Sequence, residues 1–160
     1  MGKEIKTNVM RILDTKNVSY KTYDYEKSGV IAGKDVADFL GIAHNRMFKT
    51  LVVTSASKMH YVFVVPVEAE LDLKKAAKSV SEKNVEMILQ KELLPLTGYM
   101  HGGCSPIGMK KEFKTIIDES AKNFETIVFS AGKIGHSVEV NVNDLEKVLK
   151  DIVFADIKKI

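Results

Sequence analysis

One cysteine, Cys104, stands in a chain of 160 residues. A lone thiol cannot close an intramolecular disulfide, so the fold must hold without covalent staples, and an intracellular chain is expected. No stretch is long and apolar enough to span a bilayer as a helix. The charged segment from Met1 to Lys16 lacks the apolar centre of a signal peptide. The expected location is therefore cytoplasmic, with no membrane partner. Internal repeats, low-complexity tracts and linkers are also missing, so one domain over residues 1–160 is expected. At that length folding buries roughly 70% of the surface of the unfolded chain, enough for a real core. Metal-ligand patterns are thin. His101-x-x-Cys104 offers two donors, while His44, His60 and His136 are scattered, short of the four ligands of a structural zinc site. No P-loop spacing of lysine and hydroxyl follows the glycines. The net charge of +3 permits an anionic partner, but no clustered basic stripe of the kind that binds duplex DNA is present.

Apolar periodicity supplies the elements. Thr7 is a candidate N-cap for a helix whose face is Val9, Met10 and Leu13, with Asn17 to close it. Val18 to Tyr25 reads as a strand, Lys27 to Gly33 as a loop, and Val36 to Leu40 as a short helix ended by Gly41. Met47 to Thr54 and His60 to Pro66 read as a hairpin, followed by a helix capped by Asp72. Gly98 to Gly108 is a loop dense in glycine. Thr115 to Asp118, Thr126 to Ser130 and Ser137 to Asn141 read as strands, with a turn over Ala131 to Gly135. Asn143 and Glu146 form a capping-box pattern ahead of Leu145, Val148, Leu149 and Ile152, and the run Val153 to Ile157 comes last. Strands occur both in hairpins and separated by helices. That predicts an α/β fold with a mixed, strongly curved, barrel-like sheet and flanking helices.

Three places can carry chemistry. Strand alternation puts Lys49 on one face with Met47, Leu51 and Val53. Such a lysine either bends its head into water or stands at a cleft wall, aimed at an anion or a polarised carbonyl. The loop Gly98-Tyr99-Met100-His101-Gly102-Gly103-Cys104-Ser105-Pro106-Ile107-Gly108 lets backbone approach a ligand closely, and successive N–H groups can form an anion-binding concavity stiffened by Pro106. It can also be a surface turn, although long loops in compact domains are often functional. Ser130-Ala131-Gly132-Lys133-Ile134-Gly135 is either a serine facing a pocket at a strand end or a hairpin turn. Cys104 and His101 leave a cysteine nucleophile open, without a readable base partner.

Taken in order, several segments resemble the YbaK/EbsC family, free-standing Cys-tRNA deacylases related to the editing domain inserted in bacterial prolyl-tRNA synthetases. They are Met47-Phe48-Lys49-Thr50-Leu51, Leu71-Asp72-Leu73-Lys74-Lys75, Thr97-Gly98-Tyr99, Gly102-Gly103-Cys104-Ser105-Pro106-Ile107-Gly108, Ser130-Ala131-Gly132-Lys133 and Phe154-Ala155-Asp156-Ile157. The likeness runs from about Tyr25 to the end of the chain. It implies cleavage of the ester joining cysteine to the 3′ end of tRNA(Pro), with Cys-tRNA(Cys) also attacked. The substrate's own thiol would be the nucleophile, so no cofactor or metal is implied. Aminoacyl-tRNA would be the partner, and prolyl-tRNA synthetase a further one.

By the same resemblance Lys49, Gly102 and Gly103 are the catalytic positions. Tyr25, Ser105, Pro106, Ser130, Gly132 and Ser137 are the substrate-binding ones. An acidic residue of well-known members falls here at Ser137, and an aromatic one near Ala32, which bears on substrate detail more than on reaction class. Two other readings stand beside this one. The first is a binding or regulatory module that recognises an aminoacylated or nucleotide end without chemistry. The second is a deacylase specific for Ala-tRNA(Pro).

Overall fold

The computed structural model describes residues 5–160, so the first four positions of the charged N-terminal segment lie outside the described residues. Helix α1 (Asn8–Thr15) begins at Thr7, whose hydroxyl accepts the Met10 N–H at 3.3 Å. It buries Val9, Met10 and Leu13 and closes through Asn17 in the left-handed region, φ 57°. Strand β1 (Tyr20–Asp24) follows, then a 3₁₀ turn (Glu26–Ser28) and helix α2 (Gly33–Leu40). Strands β2 (Phe48–Ser55) and β3 (His60–Pro66) form the expected hairpin, with Lys49 opposite Val65. Helix α3 (Leu73–Ser79) is capped by the Asp72 carboxylate, which accepts the N–H groups of Lys74 and Lys75.

Two elements carry no clear sequence signal. Strand β4 (Val85–Met87) has three residues, too few for a period, and helix α4 (Gln90–Thr97) holds Pro95 in its interior. Strands β5 (Thr115–Asp118), β6 (Thr126–Lys133), β7 (His136–Asn141) and β8 (Ile152–Ala155) complete the set. The turn expected over Ala131 to Gly135 is shorter than predicted. β6 continues to Lys133 through an irregularity between Ser130 and Lys133. The capping box expected at Asn143 is displaced as well: Asn141 accepts the Asn143 N–H at 2.9 Å and opens a 3₁₀ helix (Val142–Lys147).

The strands do not make one barrel-like sheet. An antiparallel sheet has the order β1-β7-β6, and a mixed sheet has the order β4-β2-β3-β5-β8, with β3-β5 and β5-β8 parallel. A closed barrel would need β2 to pair along its length with β6. Among the described residues the link is confined to the residues just before β2, where Met47 bridges to Val128 and the Val128 N–H donates to the Arg46 carbonyl at 3.1 Å. Beyond it, β3 takes one edge of β2, while β4 and the Ile88 N–H to Val52 C=O bond at 3.2 Å take the far part of the other.

Alternation along β2 then divides the core. Phe48 and Val52 face a cluster shared with α1, Phe129, Val138 and Ile107. Leu51 and Val53 face a second cluster, with Phe63, Val65, Leu71 and the α3 residues Ala76 and Ala77. A third cluster joins Met47 to Tyr25, Val36, Ala37, Val67 and Val128.

Candidate active site

Lys49 lies between the last two clusters. It is one strand position from Leu51 of the second on the same face and one from Met47 of the third. The side chain is half-buried, and among the described residues its ammonium has neither an ion-pair nor a hydrogen-bond partner. Burial pushes its pKa down. The charge of Lys34 adds to that push and Glu70 opposes it. A cation in this condition suits an anion or a developing oxyanion arriving from outside.

The segment before and into α2 links Lys49 to the glycine loop. Gly33 packs so closely on Val67 that a Cβ there would stand 2.6 Å from Val67 Cγ1. At Gly102, φ +90°, a Cβ would stand 2.6 Å from Ile31 Cγ2. A Cβ on Gly103 would stand 3.0 Å from the Ile134 backbone nitrogen. The loop therefore threads between Ile31 and Ile134, with a left-handed φ and a 2.6 Å approach that call for glycine at 102 and tight packing on the Ile134 backbone at 103. Residues 31–34 contact Gly102 at one end, and at the other the charge of Lys34 is near enough to act on Lys49.

Tyr99 braces this loop. Its hydroxyl donates to the Ile107 carbonyl, and Lys110 N–H closes on the Thr97 carbonyl at 3.0 Å. Gly132, φ +88°, exists for that ring, since a Cβ would stand 2.9 Å from Tyr99 Cε1 and 3.0 Å from Val9 Cγ2. Ser105 and Pro106 are buried, and the Ser105 hydroxyl faces the Ile107 N–H at 3.4 Å. Gly132, Ser105 and Pro106 thus shape the loop from beneath. Gly103 N–H donates to the Met100 carbonyl at 2.9 Å, which leaves the amides of Gly102 and Cys104 without a partner among the described residues.

A polar pair sits at the end of the antiparallel sheet. Tyr25 and Ser137 share a hydrogen bond of 2.8 Å in a buried setting. Burial raises the Tyr25 phenol, and the Ser137 contact partly offsets this. Ser130 is the cross-strand partner of Ser137, and its hydroxyl accepts the Gly132 N–H at 3.1 Å. Tyr25 and Ser137 thus form a bonded hydroxyl pair, and strand pairing brings Ser130 beside Ser137.

Sequence reasoning missed what holds that pair. His136, treated there as scattered, is 3% exposed, with Nε2 3.0 Å from Glu26 and 3.9 Å from Asp24. Lys133 stands 3.6 Å from the other Glu26 oxygen. The hydrogen bond from His136, then the charge of Lys133, holds the Glu26 carboxyl below its ordinary pKa. One donor atom from each of Asp24, Glu26 and His136 lies within 4.8 Å of the others, a set able to hold a cation, although Lys133 already balances it. Alternation was the available signal: 24 and 26 flank Tyr25, and 136 flanks Ser137.

Cys104 sits in a setting that disfavours its thiolate. Burial pushes its thiol up to about 12, which leaves almost no thiolate at neutral pH. His101 is exposed. A groove of about 1610 Å³ runs along the edge strand β1 and includes Tyr25 and His136 but neither Lys49 nor the Gly102 to Pro106 loop.

Residues 27–148 match the family model of the aminoacyl-tRNA editing domain. Over 136 residues the chain is 46% identical to EbsC of Enterococcus faecalis, whose name proposes Cys-tRNA(Pro)/Cys-tRNA(Cys) deacylase activity; the match covers 84% of this chain and 83% of that protein. A proline–tRNA ligase of Pelobacter propionicus is 28% identical over 109 residues, which are 68% of this chain but 19% of the ligase. A crystal structure of a proposed trans-editing enzyme for prolyl tRNA synthetase shares the fold, with a TM-score of 0.80 at 21% identity over 97% of this chain and 99% of that one. The chain belongs to the aminoacyl-tRNA editing domain family.

Proposed function

We propose that this protein is a trans-editing deacylase that removes cysteine from mischarged Cys-tRNA(Pro), and also from Cys-tRNA(Cys), by attack of the substrate's own thiol. The observation that carries this reading is Lys49: an unpartnered, half-buried ammonium on an apolar sheet face, linked through residues 31–34 to a loop with free backbone amides. The substrate class comes from the 46% identical relative and its name.

In the proposed reaction the cysteinyl sulfur attacks its own carbonyl carbon. The C–S bond forms as the C–O bond to the ribose breaks, the thiol proton ends on the ribose oxygen, and a thiolactone leaves. Holding sulfur against carbonyl is a proximity effect. The amides of Gly102 and Cys104 and the Lys49 ammonium face the developing oxyanion, each good donor contributing roughly 3–4 kcal/mol. Gly103 serves by letting the loop pass Ile134. The hydroxyls of Tyr25, Ser137 and Ser130 receive the amino-acid end. The high pKa of Cys104 supports assigning the nucleophile to the substrate.

The test is deacylation of Cys-tRNA(Pro), Cys-tRNA(Cys), Ala-tRNA(Pro) and Ser-tRNA(Pro) side by side. The cysteinyl esters are expected to be cleaved much faster than the seryl ester, because a few per cent of a thiol with pKa about 8.5 is thiolate near neutral pH while an alcohol has essentially none. Equal cysteinyl and seryl rates point to water as the nucleophile. Preference for the alanyl ester selects the Ala-tRNA(Pro) reading. No turnover on any ester leaves a binding module.

A further inference from the structure

We infer that a lysine-lined groove beside α3 is a phosphate-binding track for the acceptor arm of the tRNA, on the same sheet face as Lys49. The inference rests on the deacylase reading for its ligand. The groove, about 470 Å³, lies between α3 and residues 81–85. Lys74, Lys78 and Lys83 line it, all exposed, and among the described residues none of their ammonium groups has an ion-pair partner. Neighbouring lysines are already spent: Lys75 holds Asp156 at 3.1 Å and Lys159 holds Glu70 at 3.2 Å. Ser81, at φ 57°, turns the chain so that Lys83 returns alongside the helix.

The one acid lining the groove, Glu82, is engaged by hydroxyls that do not line it. Its carboxylate accepts the Ser57 hydroxyl at 2.8–2.9 Å and the Tyr61 hydroxyl at 2.6 Å. The larger groove along β1 has the opposite balance, with Asp14, Asp24 and Glu26 against Lys6 and Lys27. A polyanion is therefore drawn to the α3 groove and turned away from the β1 groove.

Position agrees with charge. Val85, which lines the groove, belongs to the same cluster as Leu51 and Val53 and pairs with Ser55 on β2. Ser55 is six residues from Lys49 on one face, about 20 Å at 3.3 Å per residue. A few unpaired nucleotides span that distance. The 3′ ester can then lie at Lys49 while phosphates nearer the stem lie along α3. Lysine contacts of this kind add affinity and salt dependence without reading sequence.

The experiment compares the parent with the triple variant Lys74→Ala, Lys78→Ala, Lys83→Ala. Alanine suits a helix, and circular dichroism checks the fold. On Cys-tRNA(Pro), KM is expected to rise roughly tenfold with kcat unchanged, and the slope of log affinity against log salt to flatten by about 2–3, near one per lysine. On 3′-O-cysteinyl-adenosine, which lacks the stem, parent and variant should react alike. The triple variant Lys74→Arg, Lys78→Arg, Lys83→Arg should keep the parental KM. Unchanged KM and salt slope in the alanine variant overturn the inference, as does equal loss on the nucleoside ester. If the parent cleaves no ester, the deacylase reading fails separately. The groove is then read by binding of uncharged tRNA(Pro): a tenfold weaker, salt-flattened isotherm for the variant supports it, and identical isotherms overturn it.

Discussion

Replacing Lys49 by methionine separates chemistry from folding. The ammonium is half-buried, has no partner among the described residues, and is opposed by both burial and Lys34. Methionine keeps most of the stem and removes the charge, so the folded state no longer bears the cost of desolvating it. The expected gain is about 1 kcal/mol, the usual size when a functional residue gives way to a better-packed one. In a domain of this length that raises Tm by about 2–4 °C.

The pH dependence carries the same sign. The folded pKa lies below the unfolded value of 10.5, so between the two the unfolded chain binds more protons. Parental stability should then rise with pH through that window, up to about 10.5, by a contribution the variant lacks. Activity moves the other way, with deacylation falling by about 10²–10³ if the charge serves the transition state. Thermal unfolding at several pH values and initial rates on Cys-tRNA(Pro) read both effects. A variant that is less stable than the parent and deacylates at the parental rate would refute the reasoning and leave Lys49 a lysine that simply reaches water.

Cys104→Ser should keep most activity, and iodoacetamide should label the parental thiol slowly at pH 7, because burial holds it near 12; complete loss of turnover in a folded variant would restore the cysteine nucleophile. Gly132→Ala should cost about 2–4 kcal/mol in urea unfolding, from the positive φ and the 2.9 Å approach to Tyr99 Cε1; a loss under 1 kcal/mol would mean the Tyr99 brace yields freely. Tyr25→Phe should cost about 1–3 kcal/mol by leaving the Ser137 hydroxyl buried without this partner. Adding Ser137→Ala should recover part of that, and strictly additive losses in the double-mutant cycle would show that the two hydroxyls are not coupled.

What could be read from the sequence is what depends on near neighbours. The Thr7 and Asp72 caps, the β2–β3 hairpin and the bounds of β5 follow from residues within a few positions of one another. β4 has only three residues and Pro95 interrupts α4, so neither offers a period to count. The division into two sheets was hidden for a different reason. It turns on which edge of β2 is still free when β6 arrives, and that depends on β4 and Ile88, more than 30 residues along the chain. The loop roles were hidden likewise: Gly132 reads as part of a hairpin turn or a substrate-binding position until Tyr99 is seen lying on it.

Lys49 was legible as a candidate because it breaks a local rule. Leucine at 49 would continue the apolar face from Leu51 toward Met47 and fuse two clusters into one. Lysine interrupts that face with a charge that finds no partner among the described residues. Such breaks fall where folding is not the only demand on the chain. Serine at 137 makes the complementary case. It breaks no rule, since a buried hydroxyl bonded to Tyr25 is satisfied, and nothing in its neighbourhood of sequence marks it. Its setting is made by Asp24, Glu26 and His136, which join segments more than 100 residues apart across the β1–β7 edge. A charge out of place can be read from alternation alone, whereas a hydroxyl in place can be read only once the strands are paired.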